Sequence, residues 1–210
     1  MSKRKTGEPS TAKTPQVARR KKPIFNMPLA QTMTSRTSSV TNAFVNAVVP
    51  RVKPTPEEVL EAIGILGMTP EDVRCAYCGD VKTEWDHLRP LVLDQRPTGY
   101  ISEIANLVPA CNKCNSSKRN ENWRDWMLST VDLSPTARGI PDVAVRIERL
   151  EAFIRRFEPT FVNFEEVLGQ DHYSGYWVLW RETIAKLKSC QAIANEFRDK
   201  AQASLNRGDG

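Results

Sequence analysis

The sequence predicts an α+β domain: a small hairpin-and-helix core clipped by metal-binding cysteines, covered by helices and preceded by a basic arm. Three observations carry this. Four of the five cysteines fall as two C-x2-C pairs, Cys75/Cys78 and Cys111/Cys114, with a 32-residue gap between them. The gap carries β-formers and turn residues, and amphipathic helical patterns follow it. The basic charge gathers at one end: residues 1–22 hold eight Lys and Arg against the single acid Glu8, leaving 22 basic and 24 acidic residues beyond them, a net of −2.

Residues 1–52 are rich in Ser, Thr, Pro, Lys and Arg. This composition buries too little apolar surface to offset the entropy of ordering, so it predicts a disordered arm, either solubilising or binding phosphate through counterion release. Its KRK and ARRKK clusters also fit a two-part nuclear import signal. A core of residues 53–130 and a helical extension of 131–210 are expected after it. The first helix should begin at PTPEEVLEAIGILGM, where Thr55 can cap, Pro56 suits the first helical position, and Glu57 and Glu58 favour the positive helix start. A second start signal, Thr69-Pro70-Glu71-Asp72, leads into the first cysteine pair.

Between the pairs, VKTEWDHLRPLVL and DQRPTGY predict a hairpin with a long loop. NLVPACNKCNSSKRN should turn helical after Pro109, and WRDWML should continue as a short helix. Val143, Ile147, Leu150, Ile154 and Phe157 then mark one long helix, and Trp180, Ile184, Leu187 and Phe197 a second. Trp85, Trp123, Trp126, Trp177 and Trp180 are read as core or interface residues. Cys190 is read as a small buried residue and His172 as a loop residue.

Four thiolates at this spacing suit a closed tetrahedral site, so Cys75, Cys78, Cys111 and Cys114 are assigned to structural Zn²⁺. A redox role is the competing reading, and the chain lacks the βαβ pattern that would support it. With four thiolates bound, this ion has no open position for a substrate. No apolar run reaches the length of a membrane span and no apolar stretch follows the basic N-terminus, so the expected setting is intracellular, cytoplasmic or nucleoid-associated, without a membrane partner.

Beside the clip, CAYCG at 75–79, TEWDHLRP at 83–90, ANLVPAC at 105–111 and CNSSK at 114–118 together resemble the HNH nucleases, whose ββα-metal motif is often split around a four-cysteine zinc site. The resemblance spans about 45 residues of 210. It implies a metal-dependent endonuclease that hydrolyses phosphodiester bonds in DNA, duplex DNA foremost. His87 would be the base that activates water, and Asn106 would steady the loop carrying it. Asp86 and Asn115 would hold a catalytic divalent cation. Where the family often has a last histidine this chain has Asn115, and an amide oxygen beside a carboxylate makes a hard site suited to Mg²⁺ or Mn²⁺. Lys118 and Arg119 would meet phosphate, or would be solvated charges at a helix end; Arg89 would contact phosphate or form a surface ion pair. Adjacent strand residues point to opposite faces, so the strand must end or bend at Asp86-His87 for both to line one pocket. A homodimer would suit a double-strand cutter. The rival reading is a non-catalytic zinc module that binds nucleic acid or a protein partner.

Overall fold

A computed structural model of the chain describes Phe25 and residues 27–205. Contacts divide the chain into Met1–Gln31 and Thr32–Gly210, and every helix and strand below belongs to the second unit. The basic clusters of residues 1–22 lie outside the described residues.

The first departure from expectation falls within the arm. After a 3-10 turn at Thr34–Arg36, helix α1 runs from Thr37 to Val48. Thr41, Val45 and Val49 recur every fourth residue and are buried, in a core with Leu91, Ile101, Phe164, Trp177, Trp180 and Ile184. Burying a valine is worth about 1.5–3 kcal/mol. Tertiary packing therefore makes a helix of a segment whose own composition argues for disorder.

Helix α2, Pro56–Ile65, forms with the expected Thr55 cap and Pro56 in the first turn, and Glu58 reaches back to complete a full capping box. Thr69-Pro70-Glu71-Asp72 makes only a single turn, closed by Asp72 N–H donating to Thr69 O at 3.1 Å, because the chain must reach Cys75 three residues later. The predicted hairpin is two small antiparallel pairs. Strand β1, Glu84–His87, pairs with β4, Leu107–Ala110, with Asp86 opposite Val108 and His87 opposite Leu107. Between them β2, Val92–Leu93, pairs with β3, Arg96–Pro97. The β2–β3 turn places Asp94 at φ 48° and Gln95 at φ 65°, left-handed values in which glycine would be cheaper by roughly 1–2 kcal/mol a residue.

Helix α3, Asn112–Lys118, follows β4, and Asn122 caps α4, Trp123–Leu128, by accepting from the Arg124 and Asp125 N–H groups. Helix α5, Val143–Arg156, lays Ile147, Leu150 and Phe153 on a core with Tyr77, Leu88, Val108, Trp123, Trp126 and Met127. A short α6, Phe164–Leu168, ends at Gly169, whose φ of 79° suits glycine, and the 36-residue α7, Gln170–Leu205, begins at once.

His172, expected in a loop, is therefore an exposed residue of α7's first turn. Its neighbours Gly169, Ser174 and Gly175 weaken helical propensity locally, and the cost of about 1 kcal/mol per interior glycine is small beside the packing of α7 as a whole. Four of the five tryptophans are buried and Trp85 is half-buried. Cys190 is half-buried rather than buried. Phe197, expected in the core stripe of the last helix, is 67% exposed, because α7 continues beyond the elements that cover Trp180 and Ile184. The architecture is α+β: a clipped ββα core covered by helices. Among the described residues, no helix is long and apolar enough to cross a membrane.

Candidate metal centre and adjoining site

The two cysteine pairs arrive on different backbone forms. Cys75 and Cys78 sit on a tight turn in which Gly79 N–H donates to Cys75 O at 2.8 Å, with Gly79 at φ 77°. Cys111 precedes the first residue of α3 and Cys114 lies in its first turn. Ala76 N–H donates to Pro109 O at 2.8 Å, tying one half to the other.

All four Sγ atoms lie within 4.8 Å of one another, and Cys78 and Cys111 approach to 3.7 Å. A tetrahedron with Zn–S bonds near 2.3 Å has edges of about 3.8 Å, so the sulfur set fits zinc. Hydrogen bonds from Cys114 and Cys75 draw the Cys78 thiol far down, while contacts with Cys75 and Cys78 drive Cys114 up and Cys75 is raised to about 12, so the crowded sulfurs favour one thiolate, at Cys78, and hold protons on Cys75 and Cys114 until a cation offsets the charge. Four thiolates on Zn²⁺ carry a net charge of −2. Arg138 offsets part of it, with Nη1 at 3.5 Å from Cys114 Sγ, and Arg146 donates to Cys75 O at 3.2 Å.

On the other side of α3 lies a pocket of about 270 Å³ lined by Asp86, His87, Asn115 and Arg119, with Pro90–Val92, Asn42, Asn46 and Asn120 around them. Asp86 and His87 are the last two residues of β1, which ends there, and both line this cavity. A wider cleft of about 660 Å³ shares Arg119 but is lined otherwise by residues such as Ser117, Trp126 and Asp132. It contains neither the histidine nor the buried carboxylate, which meet at the smaller pocket.

Asp86 is buried, and its Oδ2 accepts from the Tyr77 hydroxyl at 2.6 Å and from Lys118 Nζ at 3.1 Å. Burial raises its carboxyl above the ordinary range, against the opposing pull of Lys118 and Tyr77. No hydrogen bond among the described residues reaches Oδ1. His87 is half-buried and its Nε2 lies 2.9 Å from Ser102 Oγ. Burial, with the charges of Lys118 and Arg51, pushes its pKa down to about 4, so the ring is neutral near pH 7.

Ser102 is itself held at both backbone groups, its N–H donating to Pro50 O at 3.1 Å and its O accepting from Val52 N–H at 2.8 Å. Asn106 is fully buried and grips the loop after His87: Oδ1 accepts from Arg89 N–H at 2.8 Å, and Nδ2 donates to Arg89 O at 3.0 Å and Ile101 O at 3.3 Å.

Two of the expected phosphate contacts lie elsewhere. Lys118 has no exposed surface; besides Asp86, its Nζ donates to His87 O at 3.0 Å and Arg119 O at 3.3 Å. It stands four residues after Cys114, on the same inward stripe of α3, so the turn that buries the zinc ligand buries the lysine too. Arg89 does not line the pocket: its guanidinium lies over the Tyr100 ring at 5.5 Å and its Nη1 is buried without a hydrogen-bond partner. Arg119, at φ 51° after the last residue of α3, is exposed and lines the pocket.

Sequence reasoning missed Tyr77, Ser102, Arg138 and the α1 asparagines. Only Tyr77 carried a local signal, by its place inside the first cysteine pair.

No curated protein and no solved structure matches the chain. A family model described as HNH endonuclease matches residues 75–121, from the first zinc cysteine to just beyond α3. The segment 75–121 thus matches the HNH endonuclease model, with four cysteines positioned to form a zinc site, which supports a nuclease-type or nucleic-acid-related function with a metal site.

Proposed function

We propose that the protein is a metal-dependent endonuclease that hydrolyses phosphodiester bonds in DNA, with residues 53–130 as the nuclease core and 131–210 as a helical extension. The observation that carries this reading is the convergence of Asp86, His87, Asn115 and Arg119 on one pocket, backed by a fully buried lysine and asparagine that fix two of them. A zinc module that only binds a partner has no use for a buried carboxylate aimed beside a neutral histidine.

The donor set suits a second, hard cation: Asp86 Oδ1 and the Asn115 amide oxygen are oxygen ligands, as Mg²⁺ and Mn²⁺ prefer. Such an ion would neutralise charge growing on the phosphate. Lys118 already offsets part of the Asp86 charge, so affinity for the cation should be weak until a substrate phosphate adds its own oxygens.

The chain's residues do the rest. With Nε2 donating to Ser102 Oγ, His87 Nδ1 keeps its lone pair and takes the proton from the attacking water. Asn106 holds the 88–101 loop, and through it the histidine, in place. Arg119 offers a cation to a non-bridging phosphate oxygen.

The test is cleavage of supercoiled plasmid by the zinc-loaded protein with Mg²⁺, Mn²⁺, Ni²⁺ or Zn²⁺ added. Nicked or linear product with Mg²⁺ or Mn²⁺ is expected. Better cleavage with low concentrations of Ni²⁺ or Zn²⁺ would contradict the oxygen-ligand site.

A further inference from the structure

The uncharged face of α1 has no role in the chemistry above, yet it forms a wall of the same cavity. The 270 Å³ pocket adjoins a second of about 160 Å³ that shares Asn42, Val92 and Asn120 with it and continues past Thr37, Ser38, Thr41, Asp94 and Gln95. We propose that this continuous groove, between α1 and the β2–β3 tip, is the track for the nucleic acid strand flanking the scissile phosphate, with Asn42 the contact nearest the site. The inference rests on the nuclease reading.

Three features support it. First, α1 is held rigidly from behind: Trp180 Nε1 donates to Thr41 Oγ1 at 3.2 Å and the Tyr176 hydroxyl to Phe44 O at 2.9 Å, while Val45 and Val49 are buried. Second, the wall is polar with spare hydrogen-bonding capacity. The side chains of Ser38, Asn42, Gln95 and Asn120 are exposed and make no hydrogen bond among the described residues, and Asn46 uses only Nδ2, donating to Asn42 O at 2.8 Å. Third, positive charge sits at the ends and not along the wall. Arg119 lines the catalytic end, and Arg36 directly precedes α1 at the other, where the helix dipole is also positive. Asp94 is the one acid lining the second cavity.

Cations for phosphate at the ends, with amides and hydroxyls for sugar and base edges between, is the division of labour that nucleic acid recognition uses. An acidic peptide would want cations along the whole length. From Thr37 to Asn46 the helix rises about 14 Å, which at about 3.4 Å of axis per nucleotide accommodates roughly four nucleotides.

The experiment uses the full zinc-loaded chain with His87→Ala, so that binding is read without cleavage, and measures fluorescence anisotropy of a labelled 20-base-pair DNA duplex across a salt series. Adding Asn42→Ala and Gln95→Ala should raise Kd about tenfold, the loss of two hydrogen bonds, with an unchanged salt slope. Adding Arg119→Ala instead should make the slope shallower by about one. Zinc content and Tm of each variant confirm that the fold is retained.

A Kd within twofold of the His87→Ala parent overturns the track, as does a tenfold loss that comes with a shallower slope. Plasmid cleavage by the wild type separates the two readings. Cleavage with an unchanged variant Kd removes the track alone, a weakened Kd without cleavage removes the nuclease reading and leaves the groove as a DNA-binding surface only, and no DNA binding by the parent removes both.

Discussion

Replacing Lys118 by methionine keeps most of the buried volume and removes the ammonium. In the wild type that group bonds Asp86 Oδ2 at 3.1 Å, His87 O at 3.0 Å and Arg119 O at 3.3 Å, with the lysine side chain 1% exposed and that of Asp86 7%. The variant leaves a buried carboxylate with only the Tyr77 hydroxyl and two carbonyls short of a donor. Breaking one side of a buried ion pair costs about 3–5 kcal/mol. For a chain of this size each kcal/mol lowers Tm by about 2–4 °C, so a fall of roughly 10 °C is expected. Thermal and urea unfolding of the zinc-loaded protein measure it. Adding Asp86→Asn should recover part of the loss, since the orphaned charge is what costs most, and the double-mutant cycle should return a coupling of about 2 kcal/mol. A Tm within 2 °C of wild type, with a shallower salt slope for DNA binding, would refute the argument and restore Lys118 as an exposed phosphate contact.

Three further outcomes follow from the site. Arg138→Ala removes the guanidinium beside Cys114 and should weaken zinc retention about 10–100-fold against a chromophoric chelator, the usual effect of losing a partner to metal ligands. Ser102→Ala should lower kcat about tenfold with little change in KM, because one hydrogen bond orienting the base is lost; an unchanged kcat would show that Asn106 and the loop suffice. The pKa of His87 lies at about 4 in the native state, below the ordinary value of about 6.5. The unfolded chain therefore takes up a proton first as pH falls, so stability should decline between pH 6.5 and 4 by about 3 kcal/mol. Denaturant unfolding across that range should show a decline that His87→Gln lacks.

How much of this was legible in the sequence follows from the range of each signal. Local signals were read correctly: the Thr55 cap with Pro56 behind it, the helix after Pro109 and the two cysteine pairs are set within a few residues of themselves. The helix α1 was not, because Thr41, Val45 and Val49 become a core face only when α7 supplies Trp177 and Trp180, with Trp180 following Thr41 by 139 positions. For the same reason the end of the buried stripe on α7, before Phe197, depends on what lies opposite and not on the helix itself.

Within the site, Asp86, His87 and Asn115 could be singled out by motif and Arg119 by its charge at the helix end, and the structure places all four around one pocket. Lys118 was misread although the sequence held the means to place it: a residue four positions after a buried cysteine on one helix shares its buried face. Ser102 had no such marker. Its contact with His87 spans 15 residues and depends on the 50–52 segment that holds its backbone.

The central claim is that His87 activates water at a site that zinc supports but does not itself provide. The most direct measurement is plasmid cleavage with Mg²⁺ by the wild type and by His87→Ala, with zinc content determined on both. The account predicts equal zinc in both proteins, cleavage by the wild type, and a rate lower by about 10²–10⁴-fold in the variant. Cleavage by a zinc-loaded His87→Ala protein at the wild-type rate would contradict it.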